Sequence, residues 1–460
     1  MSQESSVLSR FDEASLKRVH WEWTTIAALG DYLDAGSIVA GAASLLAWIH
    51  YFNLNPGIVG IIAAFSSNGI STAVGALIGG RLGDMFGRKF IYSVDLLIYS
   101  LGTLPIIFAV NAPMVIIGYM IMGLAVGADV PTSWSLIAEF APRRNRGKLM
   151  GLTNVFWYIG PIVILLLSLA FAPLGILGAR LVFASLLIVA LITYYLRRRL
   201  TESPRWSYLT GRAGNVAAAV QSLGESAPTL HAQQEKSRLE LLFSRSNLKA
   251  FLFVTPIYVL WGIPAGTYGF FLPYIFKTLG AQSAAKADAL DILWFVSAIV
   301  TVVFVFMPLN DRVDRRILYA ISAAFCAAAF YLFVFFPVAN PVVAITNVLL
   351  FGLGQGIGLW PLQRVWSVEL FPTMIRNTAQ GTLWGFMRLI LGLWSLFLPI
   401  FTTAVGFNVV ALILGLMFTY NLIVGGLFGP RTQSRSLEQI QSGDIFAREG
   451  VPAPEVSGQA

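Results

Sequence analysis

Apolar residues run along this chain in long blocks rather than in the short periodic stretches of a soluble fold, and brief polar or basic connections separate them. A helix needs about 20 mostly apolar residues to cross the hydrocarbon core of a bilayer. Twelve such blocks occur, near residues 23–49, 56–80, 90–110, 112–138, 147–171, 178–196, 249–276, 288–308, 316–337, 341–368, 377–402 and 406–429. The pattern predicts an all-α membrane protein with twelve transmembrane helices in two pseudo-symmetric six-helix bundles. A stretch rich in Arg, Ser, Glu and Gln divides the blocks six and six. The expected organisation is an N-terminal half, 1–196, a cytoplasmic linker, 197–248, a C-terminal half, 249–430, and a cytoplasmic tail, 431–460.

The two halves read as copies. EFAPRRNRG, from Glu139 to Gly147, returns as ELFPTMIRN, from Glu369 to Asn377, which sets Glu139, Pro142 and Arg146 against Glu369, Pro372 and Arg376 at an offset of 230. GDMFGRK, from Gly83 to Lys89, returns as NDRVDRR, from Asn310 to Arg316, which sets Asp84 and Arg88 against Asp311 and Arg315 at an offset of 227. Two landmarks in nearly one register point to duplication. Parallel repeats about an axis normal to the membrane are one design of secondary transporter, with the solute held between the halves at mid-depth.

Composition narrows the class further. Of 460 residues 57% are hydrophobic and only 12% charged, against about a quarter charged in soluble domains, so an ordinary water-soluble enzyme is excluded. The formal charge of +8 is unevenly placed: Arg180, Lys277 and Lys286 lie in one set of alternating loops, Arg364 and Arg388 lie within blocks, and these five leave 26 of the 31 Lys and Arg for the other loops and the tails. The positive-inside rule puts that side and both termini in the cytoplasm and accounts for the charge without nucleic acid. The first twenty residues are polar, so no cleavable signal peptide is expected. Cys326 lies within an apolar block, and His20, His50 and His231 lie outside the blocks, which gives no disulfide, metal centre or histidine relay. No nucleophile with a base and no GxxxxGK[ST] string stands out. Neither an enzyme, a cofactor, a metal nor an ATP-driven pump is expected, and the partners are a small polar solute, protons and lipid around a monomer.

An ionisable group within a span costs at least about 2.5 kcal/mol on insertion scales, so each needs a partner, water or a purpose. From the helical rise, Asp34 lies roughly 16 Å in from Trp23, Asp129 about 15 Å from Glu139 and Arg388 roughly 18 Å from Arg376, all near the midplane. Two acids and a base at one depth are expected to form a central cluster. Desolvation disfavours a carboxylate there and a guanidinium favours it, so such an acid can take and release a proton as the site faces each side. Asp34 is the expected proton carrier, and Asp31, one turn before it, either shares the proton or lines a watery vestibule. Asp129 and Arg388 are the expected solute-coupling pair. Asn154 is a hydrogen-bonding contact or a packing residue, Arg364 a binding residue or one that snorkels to the surface, and Trp384, with Trp360, Trp261 and Phe271, an aromatic wall or simple packing.

GGRLGDMFGRK, between the second and third blocks, resembles the loop signature of the major facilitator superfamily. Other strings are similar to its sugar-porter and metabolite-symporter branches: TESPRW from Thr201 resembles PESPRW, GPRTQSRSLEQI from Gly429 resembles PETKGxxLEEI, LDAGSIVAG from Leu33 resembles YDxGVISG, and FFLPYIF from Phe270 resembles YYxPxIF. The resemblance implies that Gly83, Asp84, Gly87, Arg88, Glu139, Arg146, Asp311, Arg315, Glu369 and Arg376 form a gating latch, with loop acids paired to arginines of neighbouring helices. It also implies that Asp34 matches the protonated first-span aspartate of sugar-proton symporters. RKFIYSVDL and GADVPTS look like the phosphate symporters, whose acids match Asp95 and Asp129 and whose anion-binding lysine falls on Arg388. Ala265 stands near that branch's seventh-span aspartate, while Leu260, Trp261, Arg364 and Tyr119 replace polar groups and a tryptophan of hexose carriers, which weighs against both phosphate and hexose.

The combined reading is an alternating-access transporter, a proton symporter for a small polar metabolite. Two intramembrane arginines put a sugar acid or other organic acid ahead of a sugar or polyol, because a buried guanidinium suits a carboxylate. A drug or metabolite exporter working as a proton antiporter and a nutrient sensor that does not transport remain alternatives.

Overall fold

A computed structural model describes residues 12–212, 239–278, 283–433, 435 and 437–442. The first eleven residues, half of the expected linker and the tail beyond 442 lie outside the described residues. Twelve helices are long and apolar enough to span a membrane. In the first half they are α1 Arg18–Phe52, α2 Gly57–Phe86, α3 Arg88–Ile107, α4 Ala112–Phe140, α5 Arg143–Leu174 and α6 Ile176–Arg197. In the second they are α7 Asn247–Leu272, α8 Lys286–Leu309, α9 Arg315–Phe335, α10 Pro341–Glu369, α11 Thr373–Val405 and α12 Phe407–Phe428. The expected twelve-helix architecture is thus present, with helix ends that fall within a few residues of most block boundaries.

Within the halves α1 packs on α5 and α9 on α12; between them α2 lies along α11, α5 meets α8, and α1 meets α7. The α2–α11 seam is close because side chains are absent there. A Cβ on Gly80 would come within 2.9 Å of the Gly381 Cα, so both positions need glycine for the helices to approach.

Three departures from regular helix place the site. α2 is not continuous: it stops at Phe65 and restarts at Ile70, leaving Ser66, Ser67, Asn68 and Gly69 unwound at membrane depth. Ser67 accepts a hydrogen bond from Ser37 of α1 at 2.8 Å, and Ser66 bonds back to the Ala63 carbonyl, so the exposed backbone polarity is answered inside the protein. α10 carries a π turn at Gln355–Leu359, which re-aims Gln355 and Trp360. The third departure lies beyond α6, where Arg197–Leu209 is not a free linker: Pro204–Leu209 forms a short helix whose first five residues are buried against the helix ends.

Candidate functional site

Two acids of α1 meet two arginines of the other half. Asp34 and Asp31 are three residues apart and share one helix face, and both are buried. Both oxygens of Asp34 accept from Nη2 of Arg388 on α11 at 3.2 Å, and Oδ2 also accepts from Trp157 Nε1 at 2.9 Å. Arg388 Nη1 donates to Asn68 in the α2 break, and Asn68 Nδ2 donates to the Gly266 carbonyl of α7 at 3.4 Å. Asp31 Oδ1 takes Arg364 of α10 at 2.8 Å and Trp134 Nε1 at 3.0 Å. Arg364 also donates to Thr153 Oγ1 at 2.6 Å and lies over the rings of Trp134 and Trp360 at 4.2 and 4.3 Å. It is fully buried, so it does not snorkel to the surface.

Around these pairs the aromatics form a wall. Trp261 stacks on Trp360 with centroids 3.8 Å apart and donates to Gln355 at 3.0 Å, and Arg388 lies over Trp384 at 4.3 Å. They border a central cavity of about 30 Å³ whose lining includes Asn68, Trp157, Trp261, Gln355, Trp384 and Arg388. That volume admits one or two waters, whereas small-molecule sites enclose about 300–1,000 Å³. The site is therefore contracted in this conformation.

The cluster expected from depth alone is only partly present. Asp34 and Arg388 meet, but Asp129 does not join them. It pairs within its own half with Arg197 at 2.7 Å, and Asp95 takes the same Arg197 nitrogen at 2.9 Å. Arg197 also donates to the Ala27 carbonyl and covers the Tyr92 ring at 4.1 Å. In place of the expected pairing of Asp129 with Arg388, Asp129 and Asp95 share an intra-half network with Arg197. The reason is the reach of a guanidinium at the last turn of α6, a residue that polarity alone assigns to the linker. Asn154 likewise turns away, donating to the Met150 carbonyl of its own helix at 3.1 Å, and its neighbour Thr153 is the one that touches Arg364.

At the basic face the repeat becomes a crossed latch. Glu139 accepts from Arg88 of its own half at 2.7 Å and from Arg376 of the other at 3.0 Å; Glu369 takes Arg315 of its own half at 2.8 Å and Arg146 of the other at 3.4 Å. Asp84 at the end of α2 accepts from the backbone of Asn377 at 3.3 Å and of Thr378 at 2.7 Å, in the first turns of α11 where N–H groups carry partial positive charge. Its repeat counterpart Asp311 accepts from Asn310 Nδ2 at 3.0 Å and from Arg315 at 3.4 Å; burial pushes this carboxyl above the ordinary range, with Arg315 pulling it back. Gly87 sits at φ +104°, which requires glycine, and Glu202 accepts from the next two backbone N–H groups at 2.9 and 3.1 Å. Gly83 gives its carbonyl to Arg88 at 3.1 Å.

Sequence reasoning missed Asn68, Trp157, Thr153, Arg197 and Asp12. Asp12 is buried and pairs with Arg146 at 3.0 Å and Arg205 at 2.8 Å. Away from the basic face, Gly41 of α1 lies close to Phe270 of α7 and Gly60 of α2 close to the Leu396 backbone of α11. Among the described residues no group of three His, Cys, Asp or Glu is placed to hold a metal.

Residues 53–443 match the profile of the family described as sugar (and other) transporter. The chain is 40% identical over 418 residues to the minor myo-inositol transporter IolF of Bacillus subtilis, covering 91% of this chain and 92% of the relative. Its fold superimposes on the proton:xylose symporter XylE bound to 6-bromo-6-deoxy-D-glucose with a TM-score of 0.79 at 21% identity, covering 92% and 98% of the two chains. The inward-open conformation of XylE from E. coli fits less closely, with a TM-score of 0.68 at 19% identity over 91% and 98%.

Proposed function

This chain belongs to the sugar (and other) transporter family, and on that premise we propose that it is a proton-coupled symporter of the plasma membrane. It takes up a small polar metabolite, a sugar acid or other organic acid or else a sugar or polyol, by alternating access. The basic face is cytoplasmic in this reading, since the positive-inside rule assigns it there.

The observation that carries the proposal is the Asp34–Arg388 pair, which joins the halves beside the cavity. While Asp34 is charged it attracts Arg388 across the interface. A proton on Asp34 removes that attraction, the halves part at the centre, and the latch of Glu139, Arg376, Arg146, Glu369 and Asp84 decides which face opens. Asp31 and Arg364 form a second tie below the aromatic wall, so the halves are held at two depths. The proton thereby unlocks one of two central ties, which links its movement to that of the solute.

The test is uptake into proteoliposomes under an inward proton gradient. Asp34→Asn is expected to abolish accumulation against a concentration gradient while solute exchange across the membrane persists. Undiminished uphill uptake by that variant removes Asp34 from the mechanism.

A further inference from the structure

Arg388 is the one charged side chain among the described residues lining the central cavity; the other polar groups there are amides, tyrosine and tryptophan. It is also loosely matched. Arg197, in the N-terminal half, grips Asp129 through both terminal nitrogens at 2.7 and 2.9 Å and holds Asp95 as well. Arg388 shares a single nitrogen with both oxygens of one carboxylate at 3.2 Å and gives its other terminal nitrogen to the neutral amide of Asn68. A guanidinium is best satisfied by two parallel bonds to one carboxylate, a geometry Asp34 does not supply.

Each member of the pair also has a second, uncharged partner: Asp34 keeps Trp157 at 2.9 Å and Arg388 keeps Asn68. The pair is therefore built to separate without stranding either side. Resting on the symporter reading above, we infer that the solute is a polyhydroxylated monocarboxylate that displaces Asp34 from Arg388. Solute carboxylate bonds to the guanidinium, Asp34 takes one proton and stays on Trp157, and the hydroxyls meet Asn68 and Gln355 while the C–H face lies on the tryptophans. One negative charge and one proton enter together, so each cycle is electrically neutral. A neutral polyol offers the guanidinium no counter-charge, and its entry with a proton would carry net positive charge.

Wild-type proteoliposomes on a solid-supported membrane separate the cases, with D-gluconate and D-glucuronate as anionic probes and myo-inositol as a neutral one. The expected result is gluconate or glucuronate uptake with internal acidification and no current, and an apparent affinity that rises about tenfold for each pH unit of acidification. Arg388→Gln is expected to weaken the anionic probe about 10- to 100-fold while myo-inositol binding changes less than about threefold; Arg388→Lys, which keeps the charge and guards against misfolding, recovers part of the loss. A current during anion uptake, pH-independent anion binding, equal loss for both solutes, or no uptake of either acid overturns the inference. Proton-driven, current-generating uptake of myo-inositol alone overturns it while leaving the symporter reading standing; wild-type uptake that never exceeds equilibrium under an inward proton gradient removes the symporter reading instead.

Discussion

Thr153 and Asn154 are adjacent on α5, and only Thr153 reaches the other half, where its hydroxyl receives Arg364. Thr153→Val leaves that buried guanidinium one acceptor short, at a cost of about 1–3 kcal/mol. Thermal unfolding of the purified protein is expected to show a clear loss for Thr153→Val and a smaller one for Asn154→Ala, whose amide serves its own helix; the reverse order contradicts the assignment. Arg197 is a sharper case, because both Asp95 and Asp129 depend on it. Removing one partner of a buried charge pair costs about 3–5 kcal/mol. Arg197→Met is therefore expected to fold poorly, and adding Asp95→Asn and Asp129→Asn to it is expected to restore much of the yield, measured by size-exclusion profile. Asp129 was legible in the sequence as a costly charge at membrane depth, and Asp95 through the resemblance to an acid of the phosphate symporters. Their partner was not, because Arg197 opens a run of three arginines that polarity assigns to a surface linker, and nothing in one dimension reports how far a side chain reaches back.

At the level of helices, the twelve spans were readable because each is apolar over the length a bilayer demands, and the crossed latch was foreshadowed by the two repeat offsets that align Glu139 with Glu369 and Arg88 with Arg315. The break in α2 was not read as one, although the signal was present: Phe65–Ser66–Ser67–Asn68–Gly69 sets turn-forming residues inside an apolar block. Mean apolarity over a span conceals such a cluster, and with it Asn68. The loop between α8 and α9 gives a pH-dependent expectation. Because burial raises the Asp311 carboxyl above its unfolded value, its protonated form is favoured in the folded chain, and the charged form carries a penalty as pH rises through the folded value. Asp311→Asn removes this titration. Its thermal stability relative to the parent chain is expected to improve as pH rises above the ordinary aspartate value of about 4, and a difference that does not change with pH contradicts the expectation.

The molecule as a whole has too little central space for a solute, and its halves are tied at the basic face by buried ion pairs. Opening the basic face must part Glu139 from Arg376, Arg146 from Glu369, and Asp84 from the α11 backbone together. The double variant Glu139→Gln, Glu369→Gln is expected to speed amide hydrogen exchange over residues 373–378 by at least about tenfold, given the 1.4 kcal/mol per decade and the cost of weakening two buried pairs. On the proposed mechanism, Asp34 gains a proton when it lets go of Arg388. Infrared difference spectra between neutral and acidic pH report protonated carboxyl groups directly. A carbonyl band of a buried carboxylic acid is expected that disappears in Asp34→Asn and survives in Asp129→Asn; a band indifferent to Asp34→Asn rules out Asp34 as the proton carrier.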